Sequence, residues 1–402
     1  DQAQRLAEAV EVGSRREGRL ARWLVPLLAA SWSLFQLSLP TLVQLNSDAV
    51  RTVHLVFAIS LVYLCFPAMK HHSPSASGLR WLGERTRVPW GDLVLMLLAA
   101  LAAAYYLLDY QGIMGRQNMP LPRDYILGIA LIFLLLEASR RALGPALPLV
   151  AIAFIGLCFA GERLPGVLAF RAIDPGQLLT QLTMTTEGIY GVPLDVSASV
   201  VFLFVLLGAM LEKSGGGQYF VQLAFSLLGG FRGGPAKAAV LASGLTGLVS
   251  GSSIANTVTT GTFTIPLMTK AGYPPEKAAA IEVAASTNGQ LMPPIMGAAA
   301  FIIAERCGVP YLDVVRAAFV PAVISYIALI YITHLEAVKL NLKGIPRSEL
   351  PPFWRTFFGG KHFLIPLGML IALLVQRYSP QLAAFYAVVT LAVLVVLLEH
   401  VR

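Results

Sequence analysis

Apolar residues run in long blocks along most of this chain, too long for strands. Blocks near 23–45, 50–68, 91–108, 125–139, 144–160, 195–212, 312–335, 363–376 and 379–398 approach or exceed the roughly 18–20 residues an α-helix needs to cross a bilayer. The pattern predicts an all-α polytopic membrane protein. Between 235 and 306 the apolar blocks break up. There "GLVSGSSIANTVTTGTFTIP" (247–266) packs Ser250, Ser252, Ser253, Asn256, Thr257, Thr259 and Thr260 between two greasy flanks.

Residues 235–248 are apolar for only a half-span, since 14 residues rise roughly 21 Å. Ser250, Gly251, Ser252 and Ser253 follow; Ser and Gly are weak helix formers that cap well. A second half-span, 254–268, returns. This predicts a re-entrant hairpin over about 235–268, tolerable in lipid only when buried in protein or lining a polar cavity. A second interruption is expected within a helix of about 276–306. Pro275 and Glu276 suit its start, and "ASTNGQLMPP" (285–294) stops it. Pro293 and Pro294 cannot continue the helix, which puts Ser286, Thr287, Asn288, Gly289 and Gln290 at the gap.

Two mid-membrane breaks rich in Ser, Thr, Asn and Gly match a transporter design. Unwound carbonyls and neutral oxygens hold a small cation, and half-helix N-termini face an anion. The absence of Asp from both runs favours Na⁺ over Ca²⁺. Glu282 lies within two turns of the second break in apolar sequence. An intramembrane carboxylate is functional by default, here tuning the cation site, relaying a proton or meeting the cavity. The bland alternative is a Glu near a helix end, reaching water or Lys277.

Composition supports the membrane reading: 56% hydrophobic, 13% charged, against about 25% charged in soluble domains. Net charge is +8. Arg5, Arg15, Arg16, Arg19, Arg22, then Lys70, Arg80, Arg85, Arg87, then Arg140, Arg141, then Lys339, Lys343, Arg347, Arg355, Lys361 fall on alternate connections. A cytoplasmic N-terminus satisfies all of them. Trp32, Trp81, Trp90, Tyr105, Tyr106 and Tyr110 sit where an aromatic belt belongs. Two regions are expected: four spans in 1–141, and 142–402 with the hairpin and broken helix. Residues 338–362 read as a basic segment at the membrane surface. The three cysteines follow no disulfide or metal spacing, and no His has a metal-ligand partner at i+4. Neither "SGGGQ" nor "GGFRGG" ends in Gly-Lys-Ser/Thr, so no nucleotide loop is present; they bound a short amphipathic helix at 218–229. No His lies deep in a span to activate Ser250 or Ser252, and no Gly-x-Ser-x-Gly elbow surrounds them, so no enzyme is expected.

"SGSSIAN" (250–256), "GYPPEKAAA" (272–280) and "GQLMPP" (289–294) resemble the large membrane subunit of tripartite ATP-independent periplasmic (TRAP) transporters. "GGFRGGPAKAAV" before them and "PYLDVVRAAFVPA" after them fit the same pattern. "ASTNGQLMPPIMGAAAFIIAE" is similar to the TAXI branch, in which small and large subunits are fused. The strong likeness covers about 194–343; residues 1–141 resemble the small subunit only in position, length and topology. In other branches Ser commonly follows the paired prolines; here it is Ile295.

The resemblance implies an inner-membrane secondary transporter driven by Na⁺. It would import an organic anion, typically a carboxylate, delivered by a periplasmic TAXI-type binding protein, with an elevator-like transport domain of ion-transporter-like inverted-repeat fold. Carried over by motif, Na⁺ would lie at Ser253, Asn256 and Gly289, with Ser250, Gly251, Ser252, Thr259, Thr260, Ser286, Thr287, Asn288 and Gln290 around the sodium and substrate site. Only the first repeat is found here: after 343 come two plain spans. The second repeat is expected beyond Arg402, and the chain is expected to be a piece that does not transport alone. An ion channel, or a structural membrane subunit without coupled transport, remains the alternative.

Overall fold

The computed structural model describes residues 19–68, 88–116 and 119–401. Arg5, Arg15, Arg16, Lys70, Arg80, Arg85, Arg87 and Trp81, used above for sidedness and belting, lie outside them, as do His71 and His72. Every regular element among the described residues is helical. Among the described residues six helices are long and apolar enough to cross a membrane, seven if one bent pair counts as a span. The chain forms two compact units divided at 198/199. This is a boundary of packing, and it leaves open the sequence boundary expected at 141/142.

In the first unit, α1 (Arg19–Ser38) is followed by α2 (Ser47–Cys65), α3 (Trp90–Leu108), short α4 (Tyr110–Gly115), α5 (Pro122–Leu143), α6 (Ala146–Ala160) and α7 (Pro175–Thr183). Helix α1 stops earlier than the apolar run to 45, because Pro40 follows and the Ser38 carbonyl takes the N–H groups of Thr41, Leu42 and Val43. Asn46 then caps α2 through its side chain, accepting from Ala49 N at 2.9 Å. Helix α7 was not expected, although Asp174 caps it and Pro175 opens it. Ala99, Ala102 and Ala103 are buried on α3, which lets α2 and α5 approach closely around Tyr63, Tyr106 and Leu131.

Outward faces are apolar. Leu147, Leu149, Val150, Ile152 and Phe154 on α6 are all more than half exposed. Such a surface suits lipid and would aggregate in water. Charges inside the unit are paired: Arg141 meets Asp92 at 2.8 Å and Glu137 at 2.8 Å, with its guanidinium carbon 4.8 Å from the Tyr63 ring centre. Beyond the end of α3, Arg116 hydrogen-bonds Asp109 and holds its carboxyl below the usual range.

The span α8 (Val192–Lys213) carries the boundary between units. The second unit continues with α9 (Gly216–Leu228), α10 (Gly234–Ser250), α11 (Ser253–Lys270), α12 (Pro275–Gly289), α13 (Ala298–Cys307), α14 (Tyr311–Lys339), α15 (Phe353–Gly359), α16 (Leu364–Val375) and α17 (Pro380–Val401). Helices α10 and α11 form the expected hairpin, turning at Gly251 and Ser252. Both pack on α12, and α14 covers α10 and α12 from behind.

Breaking the buried Arg141–Asp92 pair leaves a charge in an apolar bundle, so Arg141→Met is expected to cost about 3–5 kcal/mol. Arg140, 40% exposed in its pair with Glu137, is worth about 1 kcal/mol or less. Thermal unfolding in detergent checks this: the Arg141→Met melting temperature falls several times further than that of Arg140→Gln.

Candidate functional site

The hairpin turn is built by backbone chemistry. Gly251 adopts φ +59°, a left-handed conformation that suits glycine, and a Cβ there would lie 2.6 Å from the Met296 carbonyl. Ser252 is the N-cap of α11, accepting from Ala255 N at 3.3 Å. Ser250 Oγ bonds the Ser252 carbonyl at 3.4 Å. The turn thus rests against the break in the facing helix.

That break lies later than expected. Helix α12 runs through Ser286, Thr287 and Asn288 to Gly289, and the irregular stretch is 290–297, with a cis Pro293–Pro294 bond. The helix survives the polar run because its hydroxyls are satisfied without unwinding. Thr287 Oγ1 donates to its own helix at Val283 O, 2.7 Å, and Ser286 turns inward. The break is held by its own backbone and by one tyrosine. Gly297 N donates to Gln290 O at 2.8 Å, and Tyr311 Oη reaches the Pro294 and Ile295 carbonyls, both at 2.7 Å.

Asn256 is the centre of the buried polar seam, 1% exposed. Its Nδ2 donates to the Ser243 carbonyl at 2.8 Å and to Ser243 Oγ at 3.1 Å. A carbonyl only accepts, so this fixes which way the amide points. Asn256 Oδ1 then accepts from Thr246 Oγ1 at 2.5 Å. Ser243 Oγ meets Ser286 Oγ at 2.9 Å, and Ser286 Oγ donates to Glu282 Oε1 at 3.1 Å. Glu282 also bonds Thr260, and accepts from Thr264 Oγ1 at 2.6 Å. Asn256, Thr260, Thr264, Ser243, Ser286 and Glu282 are all buried. Three helices are stitched together through one continuous hydrogen-bonded seam.

Glu282 therefore neither reaches water nor meets Lys277. Lys277 pairs with Glu336 instead. Among the described residues Glu282 has hydroxyl partners and no cation.

On the other side of Asn256 lies a cavity of about 20 Å³, room for roughly one water-sized particle. Oxygen-bearing Glu212, Thr246, Ser250, Asn256 and Thr259 line it. Thr259 Oγ1 donates to Glu212 Oε1 at 2.9 Å, or to Ala255 O at 2.8 Å. Gly208, Leu211, Gly217, Phe220 and Val249 complete the lining, so the oxygens stand in an otherwise apolar cavity; one carboxylate and neutral oxygens are the ligand type a hard monovalent cation takes.

The expected residues thus do not form one cluster. Asn256, Thr260, Ser286 and Gly289 gather at the seam; Ser250, Asn256 and Thr259 face the small cavity. Ser253 Oγ meets Gln290 Nε2 at 3.0 Å at an exposed edge. Thr287 is exposed on the opposite face of α12, away from the seam. Asn288 contributes no side-chain bond among the described residues. Ser243, Thr246, Thr264 and Glu212 were missed. For three of them a helical signal exists: Ser243 and Thr246 lie one turn apart, and Thr264 extends the 256–260 spacing of α11.

Two glycines allow the crossing of α10 and α12. A Cβ on Gly247 would sit 2.6 Å from Gly289 Cα, and one on Gly289 3.1 Å from Asn256 Nδ2.

A helical hairpin and a discontinuous helix, joined by a buried polar seam among apolar spans, define a polytopic membrane protein with a polar centre. Residues 130–401 match the family described as "Tripartite ATP-independent periplasmic transporter, DctM component", and the chain belongs to that family. It is 33% identical over 147 residues to the C4-dicarboxylate TRAP transporter large permease protein DctM of Pseudomonas aeruginosa, covering 37% of this chain and 34% of that protein. It is 26% identical over 189 residues to the 2,3-diketo-L-gulonate TRAP transporter large permease protein YiaN of Escherichia coli, 46% of this chain and 44% of that one. The isethionate TRAP transporter permease protein DctMQ of Oleidesulfovibrio alaskensis is 25% identical over 215 residues, 49% and 34%. The matches span between about a third and under half of these relatives' lengths.

Gly247→Ala forces two backbones apart and is expected to cost about 1–3 kcal/mol. Gly156→Ala, where a Cβ meets open space, is neutral or slightly stabilising as a helix-interior change. Parallel detergent melts of the two variants test the contact.

Proposed function

We infer that this chain is the membrane permease, or part of it, of a TRAP secondary transporter in the bacterial inner membrane. It imports an organic anion of the carboxylate class, handed over by a periplasmic substrate-binding protein. The relatives' names support the class, each carrying an organic anion in its name. The TAXI type of partner and the fused small-subunit-like first region are supported by the motif likeness at 285–305. A cytoplasmic N-terminus follows from the alternation of basic connections.

Transport is coupled to Na⁺. The observation that carries this is the one-particle cavity beside Asn256, whose lining includes the oxygen-bearing Thr246, Ser250, Asn256, Thr259 and Glu212. Here Asn256 has a double role. Its amide nitrogen ties α11 to α10 within the hairpin, and its oxygen faces the ion. This moves the expected ion site from Ser253, Asn256 and Gly289 toward α8, keeping Asn256 common to both. In an elevator cycle the hairpin and broken helix move together, because the seam ties α10, α11 and α12 into one body.

A second reading rests on Glu282 alone. A buried carboxyl held by three hydroxyls and no cation is suited to carry a proton, and uptake would then be proton-coupled.

One experiment separates them: uptake by proteoliposomes holding the transporter with its binding protein, driven by either a Na⁺ or a pH gradient. Thr246→Val and Asn256→Ala are expected to raise the half-saturating Na⁺ concentration about tenfold or more, with exposed Thr287→Ala unchanged. Glu282→Gln keeps Na⁺-driven uptake. Unaltered Na⁺ activation in Thr246→Val and Asn256→Ala sinks the sodium assignment. Loss of pH-driven uptake in Glu282→Gln, with no Na⁺ requirement in the parent, establishes the second reading instead.

A further inference from the structure

A second polar cavity lies away from the hairpin, in the corner where α15 turns into α16. It has a volume of about 840 Å³, and its lining includes Lys213, Gln218, Gln222 and Arg355 but no Asp or Glu. Lys213 and Arg355 make no ion pair among the described residues, and both are exposed. Gln218 and Gln222 add amide donors from one face of α9, one helical turn apart. The donor set is therefore cationic and multidentate, which suits a phosphate.

The corner is held mainly by packing, with one long hydrogen bond from Tyr219 Oη to the Phe357 carbonyl at 3.5 Å. A Cβ on Gly360 would lie 2.0 Å from the Tyr219 ring, so only glycine lets the chain settle against α9 there. The Tyr219 and Phe363 rings close it at 5.7 Å. The segment Arg347–Gly359 bends 53° from Lys361–Val375. Helix α15 thus departs steeply from the apolar α16 instead of extending it. It carries Trp354, 67% exposed, and Phe358, 57% exposed, beside Arg355. Lys361 Nζ lies 6.0 Å from the Phe358 ring centre. Large aromatics next to cations on a short helix at the end of a span are the marks of an element lying in the bilayer interface.

We propose that this cavity is a binding site for the phosphate of an anionic phospholipid, with Lys213 and Arg355 holding the headgroup and Trp354 and Phe358 set among its acyl chains. A soluble organic phosphate shares the headgroup chemistry but leaves the exposed aromatics without a partner, so lipid is the occupant. The site is independent of the coupling ion and of the transported substrate. It ties α15 to the membrane surface, and through the Gly360–Tyr219 contact it ties α9 there too.

The test is native mass spectrometry of the delipidated, detergent-solubilised full chain, titrated with phosphatidylglycerol and, separately, phosphatidylcholine. Phosphatidylglycerol is expected to bind at least tenfold more tightly. Lys213→Gln combined with Arg355→Gln is expected to weaken it about twenty-fivefold, at about fivefold per cation removed, while phosphatidylcholine binding stays the same. Arg355→Lys keeps the preference, which guards against a misfolded double variant. Arg306→Gln, a basic change outside the cavity, also leaves it intact. Equal binding of the two lipids, or full phosphatidylglycerol affinity in the double variant, overturns the site. An equal loss in Arg306→Gln reduces it to general surface charge and overturns it as well. Displacement of phosphatidylglycerol by millimolar glycerol 3-phosphate places a soluble anion in the cavity and overturns the lipid assignment.

Discussion

A polar group sealed in an apolar bundle must find partners inside the protein, and Asn256 and Glu282 impose that constraint on everything around them. An amide has four bonding positions and a carboxyl at least as many. Left unmade, each costs on the order of 1–3 kcal/mol, more for a charge. The structure meets the demand across helices. Ser243 and Thr246 come from α10, Thr260 and Thr264 from α11, Ser286 from α12. The same bonds that satisfy the two residues hold the hairpin to the broken helix, so chemistry and architecture here are one network.

The network requires close backbones, since Ser and Thr side chains are short. Gly247 and Gly289 supply the approach, and the alanines of α10 keep it: Ala236, Ala239 and Ala242 are fully buried. In lipid, packing of this kind and interhelical hydrogen bonds drive helix association, as the tails are as apolar as Leu. Helix α10 is accordingly buried along most of its length, while α6 and α14 show broad apolar faces. The second unit therefore contains both an apolar outer face, on α14, and a polar centre, and the small residues mark the centre.

Much of this was legible in the sequence. The hairpin, expected over about 235–268, spans Gly234–Lys270, because Gly251 and a capping Ser252 announce the turn. The helix at 218–229 is found at Gly216–Leu228. What local reading missed has a common cause. Counting polar residues by run treated 250–260 and 286–290 as two blocks, whereas a helix sorts residues by face. Thr257 and Thr287 lie in those blocks yet bond their own helices. Ser243, Thr246 and Thr264 lie outside them yet share the buried face. Glu212 belongs to another helix, 47 residues from its partner Thr259, and no local pattern announces that contact.

The position of the break follows from the same accounting. Unwinding a helix in lipid exposes carbonyls that need new donors. At 287–289 the carbonyls take the N–H groups of Gln290, Leu291 and Met292, so the helix persists through Asn288 and Gly289 despite their poor propensity. Past Gln290 the balance reverses. Pro293 and Pro294 remove two donors in any case, and Tyr311 Oη stands ready for the Pro294 and Ile295 carbonyls. Tyr311 is 5% exposed and stacks on Phe301 at 4.2 Å, so its hydroxyl is set in place by α13 and α14. The helix opens where the surrounding protein can receive its backbone, and the prolines alone do not set that point. With the opening placed one turn later, Ser286 stays on a rigid helix facing Ser243. A side chain held by a helix is better positioned than one in a loop, and that rigidity allows the Ser286 hydroxyl to join Glu282 to Ser243, which in turn bonds Asn256.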